Sequence, residues 1–143
     1  MPMEAALGAA KLRRKLRILL IEDDEVVALY VTALLEDAGF LVVGPVGRVA
    51  EALLLIDQQT TTIDGAILDI NLHGEFSYSV ADGLVRCGIP FLFTTGYGAG
   101  SLDAAYSSHP RCEKPFLEQA LLGALARIVV APAALQADVN QPP

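Results

Sequence analysis

Short apolar runs without polar alternation recur along the chain. They fall at residues 16–21 (LRILLI), 40–44 (FLVVG), 64–70 (DGAILDI) and 89–95 (IPFLFTT), with a shorter run at 111–113. Strands without alternation are typical of a parallel sheet covered by helices on both faces. The pattern therefore predicts an α/β domain with a flavodoxin-like, doubly wound sheet of five parallel strands in the order 2-1-3-4-5.

The segments between these runs favour helices. Val27, Val31, Leu34 and Leu35 recur at helical spacing, and Gly39 follows where a helix would end. Further helices are predicted at residues 48–59, 77–87 and 117–130. Residues 96–109 are rich in glycine and serine, so the fourth of about five helices is expected to be short or mobile.

The apolar content does not indicate a membrane protein, although the mean hydropathy is +0.46. The longest apolar stretch, residues 121–135, is broken by Arg127 and Pro132 and is shorter than the roughly 20 residues that a spanning helix needs. The apolar run at residues 18–21 is too short for a signal peptide. We therefore expect a cytoplasmic protein. Cys87 and Cys112 form no metal-binding pattern and are expected to be buried thiols.

The net charge of −7 is unevenly distributed. Residues 1–17 carry five basic groups and Glu4, a net of +4, which leaves −11 for residues 18–143. An acidic body repels phosphate backbones, so no nucleic-acid partner is expected. We expect the chain to divide into a basic extension (1–15), a folded domain (16–130) and a flexible tail rich in alanine and proline (131–143), which would leave no residues for an output domain.

Polar side chains stand at the carboxyl ends of four predicted strands: Glu22 and Asp23, Asp69, Thr95, and Lys114. These ends meet at the same edge of a parallel sheet, where such folds bind ligands. Three carboxylates in one crevice repel each other unless a cation joins them, and all-oxygen ligands favour Mg²⁺. A hard metal, an ammonium group and a hydroxyl are suited to hold a phosphoryl group that an aspartate attacks.

Four motifs, "LLIEDDE", "AILDINL", "FLFTTG" and "EKPF", resemble those of the receiver domains of two-component response regulators, over about residues 16–130. The resemblance implies that Asp69 is phosphorylated and that Thr95 and Lys114 contact the phosphoryl group. It also implies a Mg²⁺ site, with Asp23 and Asp69 as direct ligands and Glu22 acting through water. The backbone carbonyl of Asn71 would be a further ligand, and Lys114-Pro115 would be cis.

The same resemblance implies partners. A histidine kinase or a histidine phosphotransfer protein would supply the phosphoryl group, and a downstream protein would read the result. The receiver would be a monomer or weak dimer. Asp24 and Glu25 would belong to the start of the following helix and need no metal.

Some positions depart from the family pattern. His73 stands where a proline usually follows the phosphoacceptor loop, and Arg111 stands where an aromatic residue usually takes part in the activation switch. Tyr106 is a candidate for that aromatic role, which the sequence leaves open. The stretch "PFLFTTGYG" resembles the "PFxFATGY" signature of a subset of stand-alone receivers, with Tyr97 matched and Thr94 in place of alanine.

Two other functions compete with a phosphoacceptor. One is an aspartate-dependent phosphatase, which typically needs a second aspartate where this chain has Asn71. The other is an interaction module that kept the fold without phosphorylation. The chain is not expected to be an enzyme beyond its own phosphorylation and dephosphorylation.

Overall fold

The apolar runs form the strands of the protein. The computed structural model describes residues 14–96 and 104–129. Within them the elements are β1 (Arg17–Ile21), α1 (Glu25–Asp37), β2 (Leu41–Val46), α2 (Val49–Gln59), β3 (Gly65–Asp69), β4 (Asn71–Leu72), β5 (Glu75–Phe76), α3 (Tyr78–Arg86), β6 (Phe91–Thr95), β7 (Arg111–Glu113) and α4 (Glu118–Ile128).

Five strands form a parallel sheet in the order β2-β1-β3-β6-β7. β4 and β5 form a separate small antiparallel hairpin, so β6 and β7 are the fourth and fifth strands of the sheet. The strand order is therefore the predicted 2-1-3-4-5. The hairpin follows β3 directly and was not predicted. The carboxyl ends of β1, β3, β6 and β7 therefore lie along one edge of the sheet.

The sheet separates two apolar cores. On one face, Ile18 and Leu20 of β1 pack with Leu35 of α1 and Leu121 of α4. On the other, Leu19 and Ile21 pack in the core that also holds Ala52 and Ile56 of α2, and Val80, Ala81 and Leu84 of α3. Alternate residues of one strand thus enter different cores, which is why the strand shows no polar alternation. Burying each large side chain contributes about 1.5–3 kcal/mol, so the sheet is a firm support for its edge.

The second strand does not end at Gly44, as its apolar run at residues 40–44 predicts. The strand continues to Val46, which pairs with Ile21, while Val43 pairs with Leu19, so β2 holds one extra residue at this point. Gly44 makes this possible with a φ of 97°, since a Cβ there would lie 2.9 Å from the backbone nitrogen of Val46. Pro45 needs no partner for an N–H, which suits the outer strand of a sheet.

Other boundaries agree with the sequence to within one or two residues, and Gly39 follows α1 with a φ of 96°. In the described part of residues 96–109, a short 3₁₀ turn at Ala104–Tyr106 takes the place of the expected fourth helix. Cys112 is buried, whereas Cys87 is only half-buried, in contrast to the prediction. Residues 1–13 of the predicted basic extension, Tyr97 and the predicted tail (131–143) lie outside the described residues. Among the helices described, none is long and apolar enough to span a membrane.

Candidate functional site

Three carboxylates meet at the carboxyl edge of the sheet. Glu22 follows β1, Asp23 lies next to it, and Asp69 is the last residue of β3. One oxygen of each side chain lies within 4.8 Å of the others, so the three could hold a metal ion. Glu22 and Asp69 are each only 5% exposed. The predicted convergence of these three residues is confirmed by their positions.

Lys114 lies between two of these carboxylates. Its Nζ is 2.6 Å from Glu22 Oε1 and donates a hydrogen bond of 2.8 Å to Asp69 Oδ2. Its backbone N–H donates to the carbonyl of Thr95, and the following Lys114-Pro115 bond is cis, as predicted. Burial alone would lower the pKa of Lys114, but the hydrogen bonds that it donates to Asp69 and Glu22 raise it. The ammonium group therefore stays charged within the acidic cluster.

The two carboxylates after β1 have opposite pKa shifts. Burial raises the pKa of Glu22 to about 7, although the hydrogen bond from Lys114 acts against the rise. Burial also acts to raise the pKa of Asp23, but this effect is outweighed, first by the hydrogen bond from the backbone of His73, and the pKa is lowered. Near neutral pH Asp23 carries a full charge and Glu22 is partly protonated.

The acidic run Glu22 to Glu25 divides as predicted. Asp24 is the N-cap of α1, where its side chain accepts hydrogen bonds from the backbone N–H groups of Val26 and Val27. Glu25 lies in the first turn of the helix, where a negative charge is favourable. The backbone N–H of Asp24 in turn donates to Glu22 Oε2 at 3.0 Å. The helix start therefore also orients the buried carboxylate.

Asn71 and the two threonines lie beside this cluster. The backbone N–H of Asn71 donates to Asp69 Oδ1 at 3.0 Å. The role of the Asn71 backbone carbonyl as a metal ligand stays a prediction. Thr94 pairs in register with Asp69, and Thr95 lies one residue closer to the end of β6. Both are buried, and the phosphoryl-binding role of Thr95 also stays a prediction.

Comparison with known proteins identifies the family. The chain is similar to SdrG from Sphingomonas melonis Fr1, with 38% identity over 81% of this chain and 98% of that one and a TM-score of 0.72. It is also similar to a BeF3-activated conformation of SdrG from Pseudomonas melonis Fr1, at 36% identity, 80% and 96% coverage and a TM-score of 0.67. A response regulator receiver protein from Sinorhizobium medicae WSM419 is 25% identical, with 82% and 97% coverage and a TM-score of 0.69.

This chain is a response regulator receiver domain. No family model matches it, and no curated protein does. The assignment to this family therefore rests on the similar solved structures and on the fold that this chain shares with them.

Two contacts in the receiver were not predicted from its sequence. The hydroxyl of Ser77, which is fully buried, donates to the backbone carbonyl of Asp69 at 2.6 Å. A serine before a helix indicates an N-cap, but this side chain makes no cap hydrogen bond and supports Asp69 instead. The second contact is the hydrogen bond from the His73 backbone to Asp23. Neither has a sequence signal beyond the residue type.

A cluster of aromatic residues lies on the α2 and α3 side of the sheet and includes Tyr78, Phe91, Phe93 and Tyr106. Tyr106 is buried, with its ring 5.5 Å from that of Tyr78 and 5.6 Å from that of Phe93. Its hydroxyl donates to Asp82 on α3. Arg111, in the position where the family usually has an aromatic residue, is exposed on β7. The buried Tyr106 thus lies on the α2 and α3 side of the sheet, but it belongs to the 3₁₀ turn before β7 and not to the position of Arg111 on β7.

Proposed function

We propose that this receiver accepts a phosphoryl group on Asp69 in a Mg²⁺-dependent reaction and passes on the signal by binding another protein. One observation carries the proposal. Asp69 lies within hydrogen-bonding distance of Lys114 and within 4.8 Å of ligand atoms from Glu22 and Asp23. A carboxylate next to an ammonium group and two further carboxylates has the surroundings that phosphoryl transfer requires.

The donor set fits Mg²⁺. Carboxylate oxygens are hard ligands, and this ion is usually bound through one or two carboxylates with several waters. Burial raises the pKa of Glu22 to about 7 although Lys114 acts against the rise, so a further cation would favour the ionised carboxylate. Glu22, Asp23 and Asp69 would hold the ion, with the carbonyl of Asn71. When bound, Mg²⁺ would neutralise charge on the phosphoryl oxygens.

Each residue has a part in the transfer. An oxygen of Asp69 attacks the phosphorus in line, forming an O–P bond while the bond from phosphorus to the donor's leaving atom breaks. Lys114 now pairs with Asp69 Oδ2, and after transfer it would pair with a phosphoryl oxygen. Thr95 would donate its hydroxyl to another. The hydrogen bond from Ser77 to the carbonyl of Asp69 would keep the end of β3 in place during the reaction.

The surface beside Lys114 is suited to a protein donor. An apolar groove of about 610 Å³ is lined by Val26, Val27, Tyr30, Pro115 and Phe116, and it reaches Lys114 itself. Leu117 nearby is 78% exposed. A histidine kinase or histidine phosphotransfer protein would cover this surface while its phosphohistidine reaches Asp69. We propose that the receiver meets this donor in the cytoplasm and is itself a monomer or weak dimer.

The similarity to SdrG supports the phosphoacceptor over the alternatives. That protein has a structure in a BeF3-activated conformation, and BeF3 is a chemical stand-in for a phosphoryl group. An interaction module without phosphorylation would not need the buried pair of Lys114 and Asp69. We propose that the chain is not an enzyme for other substrates, and that it resembles the stand-alone receivers of the "PFxFATGY" subset.

The test is phosphorylation with a small donor. We expect incubation with acetyl phosphate and Mg²⁺ to add about 80 Da, the mass of one phosphoryl group, in a form removed by hydroxylamine. Asp69→Asn and removal of Mg²⁺ with EDTA should abolish the adduct. Asp57→Asn, which changes an exposed aspartate of α2, is the matched control and should keep it. An unmodified wild-type protein would refute the proposal, and an adduct on Asp69→Asn would refute the site. Repeated turnover of a phosphomonoester would favour the phosphatase.

A further inference from the structure

The hairpin after Asp69 turns through two residues with positive φ. Leu72 pairs with Glu75, and the residues between them, His73 and Gly74, have φ of 52° and 83°. This is the pattern of a type I′ turn, the preferred two-residue connection of a hairpin. The side chain of Asn71 supports the turn by accepting a hydrogen bond from the Gly74 N–H at 2.8 Å.

The turn directs a backbone donor at the acidic cluster. The N–H of His73 donates to Asp23 Oδ2 at 2.9 Å, which joins the hairpin to the loop after β1. The imidazole is farther away, with its Nδ1 3.9 Å from the same oxygen, and its side chain is 54% exposed. The backbone of residue 73 therefore makes the short contact, while the ring lies at the surface.

A proline at position 73 would be incompatible with this arrangement. Proline has no N–H to donate, and its ring holds φ near −65°, whereas residue 73 has a φ of 52°. Histidine and asparagine are among the residues that adopt positive φ more readily than most. The hydrogen bond to Asp23 therefore depends on the absence of proline here.

We propose that the His73–Gly74 turn is a positioning element of the metal site, in which the backbone N–H of His73 holds the Asp23 carboxylate in place for Mg²⁺. One carboxylate oxygen is fixed by the amide, and the carboxylate is thereby oriented toward the cluster that it forms with Glu22 and Asp69. Hydrogen bonds to a metal-ligating carboxylate fix its orientation, and their loss typically weakens metal binding 10- to 100-fold. The inference rests on the proposed function, because that function supplies the metal.

The test compares two variants of residue 73. His73→Pro removes the donor and the positive φ, whereas His73→Asn keeps both and removes only the imidazole, since Asn-Gly is a favoured type I′ pair. Mg²⁺ affinity is measured by titration of the amide NMR spectrum without a phosphoryl donor. We expect His73→Pro to bind about 10- to 100-fold more weakly than wild type. The Mg²⁺ affinity of His73→Asn should stay within about threefold of wild type. This is well below the loss expected when the hydrogen bond to the metal-ligating carboxylate is missing.

Each outcome decides a different point. Wild-type affinity in a folded His73→Pro would overturn the inference, and so would equal weakening in His73→Asn, because the ring would then be responsible. A wild-type protein that binds no Mg²⁺ would refute the metal in the proposed function. If His73→Pro does not fold, the metal-free Asp23→Ala variant tests the contact itself. The His73 amide resonance should then move upfield, and an unchanged resonance would overturn the inference.

Discussion

Glu22 makes the stability of the metal-free receiver depend on pH. Its side chain is almost fully buried, and its pKa in the folded protein is about 7, against an ordinary value of 4.5. Because the folded pKa is the higher one, the protonated carboxyl stabilises the fold. This stabilisation is complete below pH 4.5 and is lost as the pH rises through 7. For these two values, the free energy of unfolding falls by about 2.5 kcal/mol between pH 5 and pH 8 through Glu22.

The substitution Glu22→Gln tests this magnitude. Glutamine has nearly the same shape and no charge, so the variant should lack this part of the pH dependence. We expect urea denaturation in EDTA to show a difference between pH 5 and pH 8 that is smaller in the variant than in wild type by about 2.5 kcal/mol. Glu36→Gln, which changes an exposed glutamate of α1, is the control and should behave like wild type. Equal pH dependence in wild type and Glu22→Gln would refute the reasoning.

Two further predictions follow from the same contacts. Mg²⁺ binding should displace the proton of Glu22, so the apparent affinity of the receiver for Mg²⁺ should rise about tenfold from pH 6 to pH 8. This factor is the change in the ionised fraction of a group with a pKa of about 7. Calorimetric titration at both pH values measures the affinity, and a pH-independent value would contradict the prediction. Tyr106→Phe should lower the free energy of unfolding by about 0.5–3 kcal/mol, because it removes the hydrogen bond to Asp82 and keeps the ring; urea denaturation measures it, with the exposed Tyr30→Phe as a control that should change little.

The sheet could be predicted from sequence because its signal is contained in each strand. Ile18 to Ile21 is buried on both faces, and an uninterrupted apolar run is the direct consequence. The site residues Glu22, Asp23, Asp69 and Lys114 could be placed for a related reason, since the ends of parallel strands meet at one edge. The extra residue in β2 could not, because a strand that passes through glycine and proline resembles a turn in sequence.

The hairpin and its contact with Asp23 lie beyond sequence reasoning for a different reason. β4 and β5 have two residues each, too few to show a period. The donor in the contact with Asp23 is a backbone N–H, which every residue except proline has. A histidine at position 73 indicates a departure from the family pattern, but only the φ of 52° shows where its N–H points. The hydrogen bond from Ser77 to the carbonyl of Asp69 could not be predicted either, because only the three-dimensional fold brings these two groups together.

The outer strands of the sheet have a consequence for how this receiver associates with other proteins. On one side, β2 contains Pro45, which cannot donate a backbone hydrogen bond, and its register shifts beside β1. On the other side, β7 has only three residues. Short strands, proline and irregular register all hinder the addition of a further strand. In the proposed function, recognition of a partner would therefore depend on side chains of helices and loops, which could release the partner once the phosphoryl group has moved.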